Sequence, residues 1–365
     1  MIAAILAAVG MCADGVAEGL YAARHRFSAR AAAVGYAAGA GLGWLYGVVT
    51  PVTFTVESIT VATRTAKERP QIVWIVALSA IPSIALGATG LYSSFVDLLD
   101  TAVVGGAIAG VGLILANVGF GYVRERPLTA GLAVVAGFVA FLIWDDLVAV
   151  IAASVIGGVV AARLVPDRFV PERELESREE KIARAEDEDV AEPPIERPSF
   201  DLRGVLSWPV LVGAFSVFAL RTGAVVSYDT VNAELAGTGQ ELDGVTLMAG
   251  VASLGSSLLG GPPIETTPAP MAATPEPVFS TVLFMGAMAV TTGIGLVGRL
   301  GRFIPLHAIA GFLVVLGVPV VLPENLPMVL DAAIPGSVAL AVTAASNPFY
   351  GIVAGQLVVA AIGVL

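Results

Sequence analysis

Fourteen apolar stretches, separated by glycines, prolines and charged residues, follow one another along almost the whole chain. They fall near residues 1–22, 30–48, 50–63, 70–90, 97–119, 127–143 and 146–163, then near 204–224, 244–260, 262–275, 277–297, 304–322, 327–343 and 347–365. Most approach the roughly 20 residues that carry a helix across a bilayer's hydrocarbon core. Only 13% of residues are charged, against the roughly 25% of soluble domains, and mean hydropathy is +0.86, so the bilayer is this chain's solvent. The expected fold class is therefore an all-α, multi-pass membrane protein. One cysteine, Cys12, and two histidines, His25 and His307, cannot build a disulfide framework or a His/Cys metal centre. No cofactor, no metal, no nucleic-acid partner and no soluble catalysis is expected. The apolar start at Met1 lacks a basic region ahead of it and reads as the first membrane segment rather than a signal peptide.

Residues 164–203 break the pattern. They are dense in Glu, Arg and Asp and include Pro166, Pro171, Pro193, Pro194 and Pro198, a composition that reads as a solvated linker. The chain thus divides into residues 1–163, a linker at 164–203, and residues 204–365, with seven segments on either side. The flanking parts also resemble each other. Ala107-Ile108-Ala109-Gly110 matches Ala308-Ile309-Ala310-Gly311, Pro127-Leu128 has a counterpart in Leu326-Pro327, and Val159 to Ala162 agrees with Val358 to Ala361. Seven spans per repeat would set the two halves in opposite orientations, the arrangement of many secondary transporters.

Charge supports these boundaries. Eighteen of the 19 Lys and Arg residues fall on the side reached after the first segment; the exception, Arg221, lies inside the eighth. The positive-inside rule then places the linker in the cytoplasm and both termini outside.

Two of the fourteen segments are too short and broken to be ordinary spans. Pro51 precedes Thr53, Thr55, Glu57 and Ser58, and the tenth segment carries Pro262, Pro263, Pro268, Pro270, Pro275 and Pro277 around Glu265, Thr266 and Thr267. Proline removes amide donors, so these stretches must line a polar cavity or be paired inside the protein. Segments three and ten are therefore expected to be short and partly extended, with a midplane binding site between them. Carboxylates at membrane depth are functional candidates by default. Glu57 and Glu265 could accept N–H bonds from a planar substrate or hold a proton. Asp14 and Glu18, four residues apart on one helical face, are candidates for ion coupling, with exposure at the end of the first segment as the competing reading. Arg221 is either a buried counter-ion for one of these acids or an anion-binding residue. Tyr228-Asp229 reads as a loop-proximal cap, Asp145-Asp146 as a solvated turn, and His307 as a packing residue at a helix start.

The broken segments resemble those of the nucleobase-cation symporter-2 superfamily of xanthine/uracil permeases, and in particular its guanine/hypoxanthine branch. Thr53-Phe54-Thr55-Val56-Glu57-Ser58 is similar to the family's tenth-segment Thr-rich Ile-Glu-Ser stretch. Pro263-Ile264-Glu265-Thr266-Thr267-Pro268-Ala269-Pro270-Met271 resembles its third-segment Pro-Ile-x-x-x-Pro-Gly-Met. The order of the two halves is thus exchanged, in keeping with termini outside rather than in the cytoplasm. The resemblance implies fourteen segments in two inverted repeats, with a core domain moving against a gate domain and substrate bound between segments three and ten. It implies Glu57 as the base ligand, with Thr53, Thr55, Ser58, Glu265, Thr266 and Tyr228 in the substrate site. Asp14 and Glu18 would stand near the family's paired acids and couple transport to H⁺ or Na⁺. Phe54 and Tyr228 are the aromatic candidates for stacking on a base. A homodimer through the gate domains is compatible with such folds.

Two other functions stay open from sequence. A sulfate/bicarbonate-type anion transporter shares the fold, although carboxylates at the site would repel an anion unless Arg221 dominates. A membrane scaffold or receptor that has kept the fold without transporting is the other.

Overall fold

The computed structural model describes residues 2–96, 98–145, 147–164, 194–195, 202–267, 269–301 and 306–364. The charged stretch 164–203 lies almost wholly outside them, as do Asp146, Pro268 and the side chain of Asp14. Of the described residues, 82% are helical. The first half contains α1 (Ile2–Arg24), α2 (Ala32–Tyr46), β1 (Val52–Phe54), α3 (Val56–Thr65), α4 (Arg69–Thr89), α5 (Thr101–Glu125), α6 (Pro127–Trp144) and α7 (Leu147–Leu164). The second contains α8 (Trp208–Ala236), α9 (Leu242–Ser257), β2 (Ile264–Thr266), α10 (Pro277–Gly293), α11 (Ala310–Asp331), α12 (Ala333–Ala345) and α13 (Pro348–Val364). Among the described residues five helices, α4, α5, α6, the Trp208–Val226 part of α8, and α11, are long and apolar enough to cross a membrane.

Local chemistry sets the ends. Gly47 and Gly90 take the left-handed conformation that closes α2 and α4, at φ of 66° and 69°. Asp100 caps α5 by accepting from the amides of Ala102 and Val103 at 3.0 and 3.2 Å. Proline opens α4, α6 and α10, where its missing N–H costs nothing. Asp145 stands exposed at a turn with φ of 48°, as a solvated turn should.

Two bundles result. In one, α2 and α4 pack on α9, with α10 against α2 and α1, and α8 against α4; in the other, α5 packs on α11, α12 and α13, and α6 on α7 and α11. Small residues let the backbones approach closely. A Cβ at Gly35 of α2 would strike the Ala252 carbonyl of α9, and one at Gly106 of α5 would strike the Gly336 carbonyl of α12. The bundles touch where α8 meets α5 and α13. There Phe349 N donates to Ser216 Oγ at 3.2 Å, Ser216 donates to Asn347, and a Cβ at Gly223 would meet Ile108.

β1 and β2 cross within the first bundle, against α1, α2, α8 and α9, as an antiparallel pair, with Val52 opposite Thr266, Thr53 opposite Glu265 and Phe54 opposite Ile264. Each broken segment satisfies the other's backbone, which resolves the deficit their prolines create. The Thr267 amide adds a bond to Pro51 O at 3.2 Å.

Two sequence expectations are corrected. Leu326-Pro327 does not open a segment as Pro127-Leu128 does; it lies inside α11, whose Pro319, Pro323 and Pro327 are absorbed by a π-turn at Leu316–Val321 and the helix that follows. Tyr228-Asp229 is not a loop-proximal cap, because α8 continues to Ala236. Asp229 is buried and accepts from Thr50 Oγ1 at 2.7 Å and from the Glu241 amide at 2.9 Å. Asn232, one turn on, donates to Thr267 O and accepts from the Ala269 amide, both at 2.9 Å. These polar residues end the apolar run in the sequence and not the helix: they tie α8 to the loops that flank both strands.

Candidate functional site

The chain leaves β1 through Thr55 directly into α3, so Glu57 and Ser58 occupy that helix's first turn beside the strand crossing. A cleft opens there, with an empty volume of about 510 Å³ including its mouth. From the first bundle it is lined by Thr55, Glu57, Ser58, Leu220, Tyr228 and Glu265; the second bundle contributes Ile108, Val111, Val321, Glu324 and Asn325. Apolar walls with a few convergent polar groups suit a small, partly apolar molecule.

Glu265 is not free to receive one. Its Oε1 pairs with Arg221 Nη2 at 3.2 Å and its Oε2 accepts from Ser58 Oγ at 2.8 Å. The Arg221 guanidinium, fully buried, also donates to Ser79 O at 2.9 Å, Ser83 Oγ at 3.1 Å and Ser253 Oγ at 3.1 Å. Ser253 in turn donates to Ile264 O and accepts from Ile264 N, at 2.6 and 3.0 Å, fixing the start of β2. Of the two readings open for Arg221, the structure supports the buried counter-ion. Desolvation makes such a pair expensive to form and more expensive to break.

Glu57 differs. Half-buried at the start of α3, its carboxylate makes no hydrogen bond or ion pair to another residue among those described. The positive end of the helix favours its charge. Tyr228 projects from α8 into the same cleft and lies in electrostatic range of Glu57, Glu265, Glu18 and Glu324.

The other expected residues are elsewhere. Thr53, Thr266 and Phe54 do not line the cleft. Thr53 faces α1 and α2, sharing a 3.2 Å hydrogen bond with the Tyr36 hydroxyl and a long 3.4 Å one with Glu18 Oε2. Phe54 is buried edge-on against the Tyr36 ring at 5.3 Å, which removes it as a stacking surface. The side chains of β1 are thus committed to packing against α1 and α2, and only the residues after the strand reach the cleft. Glu18 is buried against Thr53 and is absent from the cleft lining. His307 bonds Glu125 Oε2 at 3.1 Å, away from the cleft. Glu324 and Asn325 fall between the apolar stretches 304–322 and 327–343, so hydropathy gives no sign of them; the three prolines spaced through α11 are the available sign that this segment is special.

Comparison with known proteins returns no matching family model and no matching curated protein. Among solved structures, the transmembrane domain of a cyanobacterium bicarbonate transporter, BicA, superposes with a TM-score of 0.56 over 94% of this chain and 97% of that one. The chain has the fold of that domain. Identity over the match is 17%, so the architecture is shared and the site's chemistry has to be read from this chain's own residues. Together with its apolar helices, the fold makes the chain a multi-pass membrane protein.

Proposed function

We propose that the protein is a secondary active transporter, an ion-coupled permease for a purine or pyrimidine nucleobase, of the nucleobase-cation symporter-2 type and its guanine/hypoxanthine branch. The observation that carries this reading is the pairing state of the cleft's charges. Arg221 is spent on Glu265, whereas Glu57 and Glu324 face the cleft without a counter-ion among the described residues. A neutral solute bearing N–H donors suits such a site, and a small anion does not. In this reading Glu57 is the base ligand, Thr55 and Ser58 border it, and Tyr228 offers a ring to stack on. Glu265, through Arg221, and Thr53 and Thr266, through the strand pair, position the site.

The fourteen segments are read as two inverted repeats, residues 1–163 and 204–365, in exchanged order, around a cytoplasmic linker and with both termini outside. Alternating access then consists of one bundle moving against the other about the strand crossing. Glu18, buried against Thr53 of β1 and joined through it to Tyr36, is the coupling residue of choice, with Asp14 one turn away on the same helix. Either H⁺ or Na⁺ would serve. Gate-domain dimerisation stands as a further part of the proposal.

A second reading has one specific observation in its favour, the superposition on a protein whose printed function is bicarbonate transport. It requires a free cation at the cleft, which Arg221 does not provide. Uptake into proteoliposomes tests the two together. The nucleobase reading expects labelled guanine or uracil to accumulate under an imposed proton or sodium gradient, and Glu57→Gln to stop it. Accumulation of bicarbonate or sulfate by both proteins would decide for the anion.

A further inference from the structure

The wall facing Glu57 is built from α11, and its conformation is unusual there. Leu316–Val321 is a π-turn with Pro319 inside it, and Pro323 and Pro327 follow within the next helical stretch. Proline supplies no amide to the ladder, and a π-turn leaves carbonyls off their normal partners, a combination that concentrates at functional sites. One freed carbonyl is retained: Asn325 Nδ2 donates to Val321 O at 2.8 Å. That bond employs the Asn325 amide in holding the turn. Glu324, its neighbour, lines the cleft and has no hydrogen bond or ion pair among the described residues. On the opposite wall Thr55 Oγ1 is buried, beside Glu265 but without a hydrogen bond of sound geometry to it, and it too faces the cleft. The cleft therefore presents unmatched polar groups from both bundles, with Tyr228 within range of both free carboxylates.

We propose that Glu324 is a second substrate-contacting carboxylate, facing Glu57 across the cleft, so that the cargo is a planar heterocycle gripped through N–H donors on two separate edges, one by each bundle. This inference rests on the nucleobase reading and narrows it. A base with donors on one edge only would displace water from the second carboxylate without replacing its hydrogen bonds, and so would bind more weakly. Contact from both bundles also gives the substrate a stake in their relative position. A ligand shifts a conformational equilibrium only through contacts that differ between its states, and a carboxylate carried on the π-turn arm of the moving bundle supplies such a contact.

The test is equilibrium binding of labelled guanine and uracil to the purified full-length protein, followed by competition with singly N-methylated analogues of whichever binds more tightly. These are 1-methylguanine and 9-methylguanine, or 1-methyluracil and 3-methyluracil. In the wild type both analogues are expected to bind at least about tenfold more weakly than the parent base. In Glu324→Gln the parent base weakens by about tenfold and the discrimination against one analogue disappears, while that against the other, read by Glu57, persists. The exposed, isosteric substitution should leave the melting temperature unchanged, so loss of fold would not be mistaken for loss of contact. Parent-base affinity within twofold of wild type, with both discriminations intact, would overturn the assignment of Glu324 and leave Glu57 as the sole carboxylate ligand. Failure of the wild type to bind any nucleobase would instead overturn the cargo reading, and this narrower inference with it.

Discussion

The guanidinium of Arg221 on α8 and the carboxylate of Glu265 on β2 form an ion pair of 3.2 Å in which both side chains are almost fully buried, at 0% and 2% exposure. It joins a long helix to the strand crossing and commits the fully buried Arg221 to Glu265 rather than to the cleft. Breaking such a pair from one side leaves an isolated charge in a low-dielectric interior. Arg221→Met is therefore expected to lower stability by about 3–5 kcal/mol, whereas Arg221→Met combined with Glu265→Met should recover most of the loss. Thermal melts of the three proteins in detergent check this; equal losses in the single and double variants would contradict it.

Asp229 and Asn232 give a second, independent anchor. Asp229→Asn keeps the shape but loses the charge that the Thr50 hydroxyl and Glu241 amide bond to. A destabilisation of about 1–3 kcal/mol is expected. Because Asn232 holds Thr267 O and the Ala269 amide on the other strand's exit, Asn232→Ala should cost a comparable amount. The two positions lie one turn apart on α8, so any departure of the double variant from the sum measures their coupling. Melting temperatures of the single and double variants measure this directly.

Close backbone approach predicts intolerance at the helix crossings. A methyl group at Gly106 would run into the Gly336 carbonyl, backbone that cannot swing aside as a side chain can. Gly106→Ala should lower the melting temperature, and Gly106→Val should abolish recovery of folded protein. By contrast Gly41→Ala, at a position with open space around the added carbon, should be neutral or slightly stabilising, which controls for helix propensity.

Outside the spans, His25 follows α1 and its Nδ1 bonds Tyr21 O at 2.8 Å. Burial holds its imidazole below the ordinary 6.5, against the opposing influence of that bond. A base whose pKa falls on folding is neutral in the folded state, so its contribution is complete above the unfolded value and is lost as pH falls through the folded one. Stability should therefore decline below about pH 6.5, and His25→Asn should flatten that part of the profile. Urea midpoints measured between neutral and acidic pH provide the comparison.

Much of the architecture was legible because hydrophobic length and proline are direct physical constraints. The apolar stretches located the helices, and Pro51 and the prolines around Glu265 marked the segments that became β1 and β2. That these would pair with each other, residue 53 opposite 265, was beyond a local reading, since register is a long-range property. The same limit explains Thr53 and Phe54, whose side chains went to packing once the strands met. The length of α8 was misjudged because Asp229 and Asn232 look like an exit to water; only their partners, in distant loops, show that they are buried ties. Glu324 was hidden for the converse reason. A π-turn carries a residue from an expected loop to the cleft wall, and hydropathy does not report π-turns.

The central claim is that Glu57 forms the recognition point of a cleft suited to uncharged N–H donors. Thermal shift of the purified protein against purines, pyrimidines, sulfate and bicarbonate, repeated with Glu57→Gln, tests it most directly. Glu57 is paired to no other residue among those described, so the variant should melt close to the wild type when no ligand is present. The account predicts stabilisation by one nucleobase at saturating concentration, about 2.7 kcal/mol at a hundredfold excess over Kd, and its disappearance in Glu57→Gln. Stabilisation by bicarbonate or sulfate alone, equal in both proteins, would contradict it.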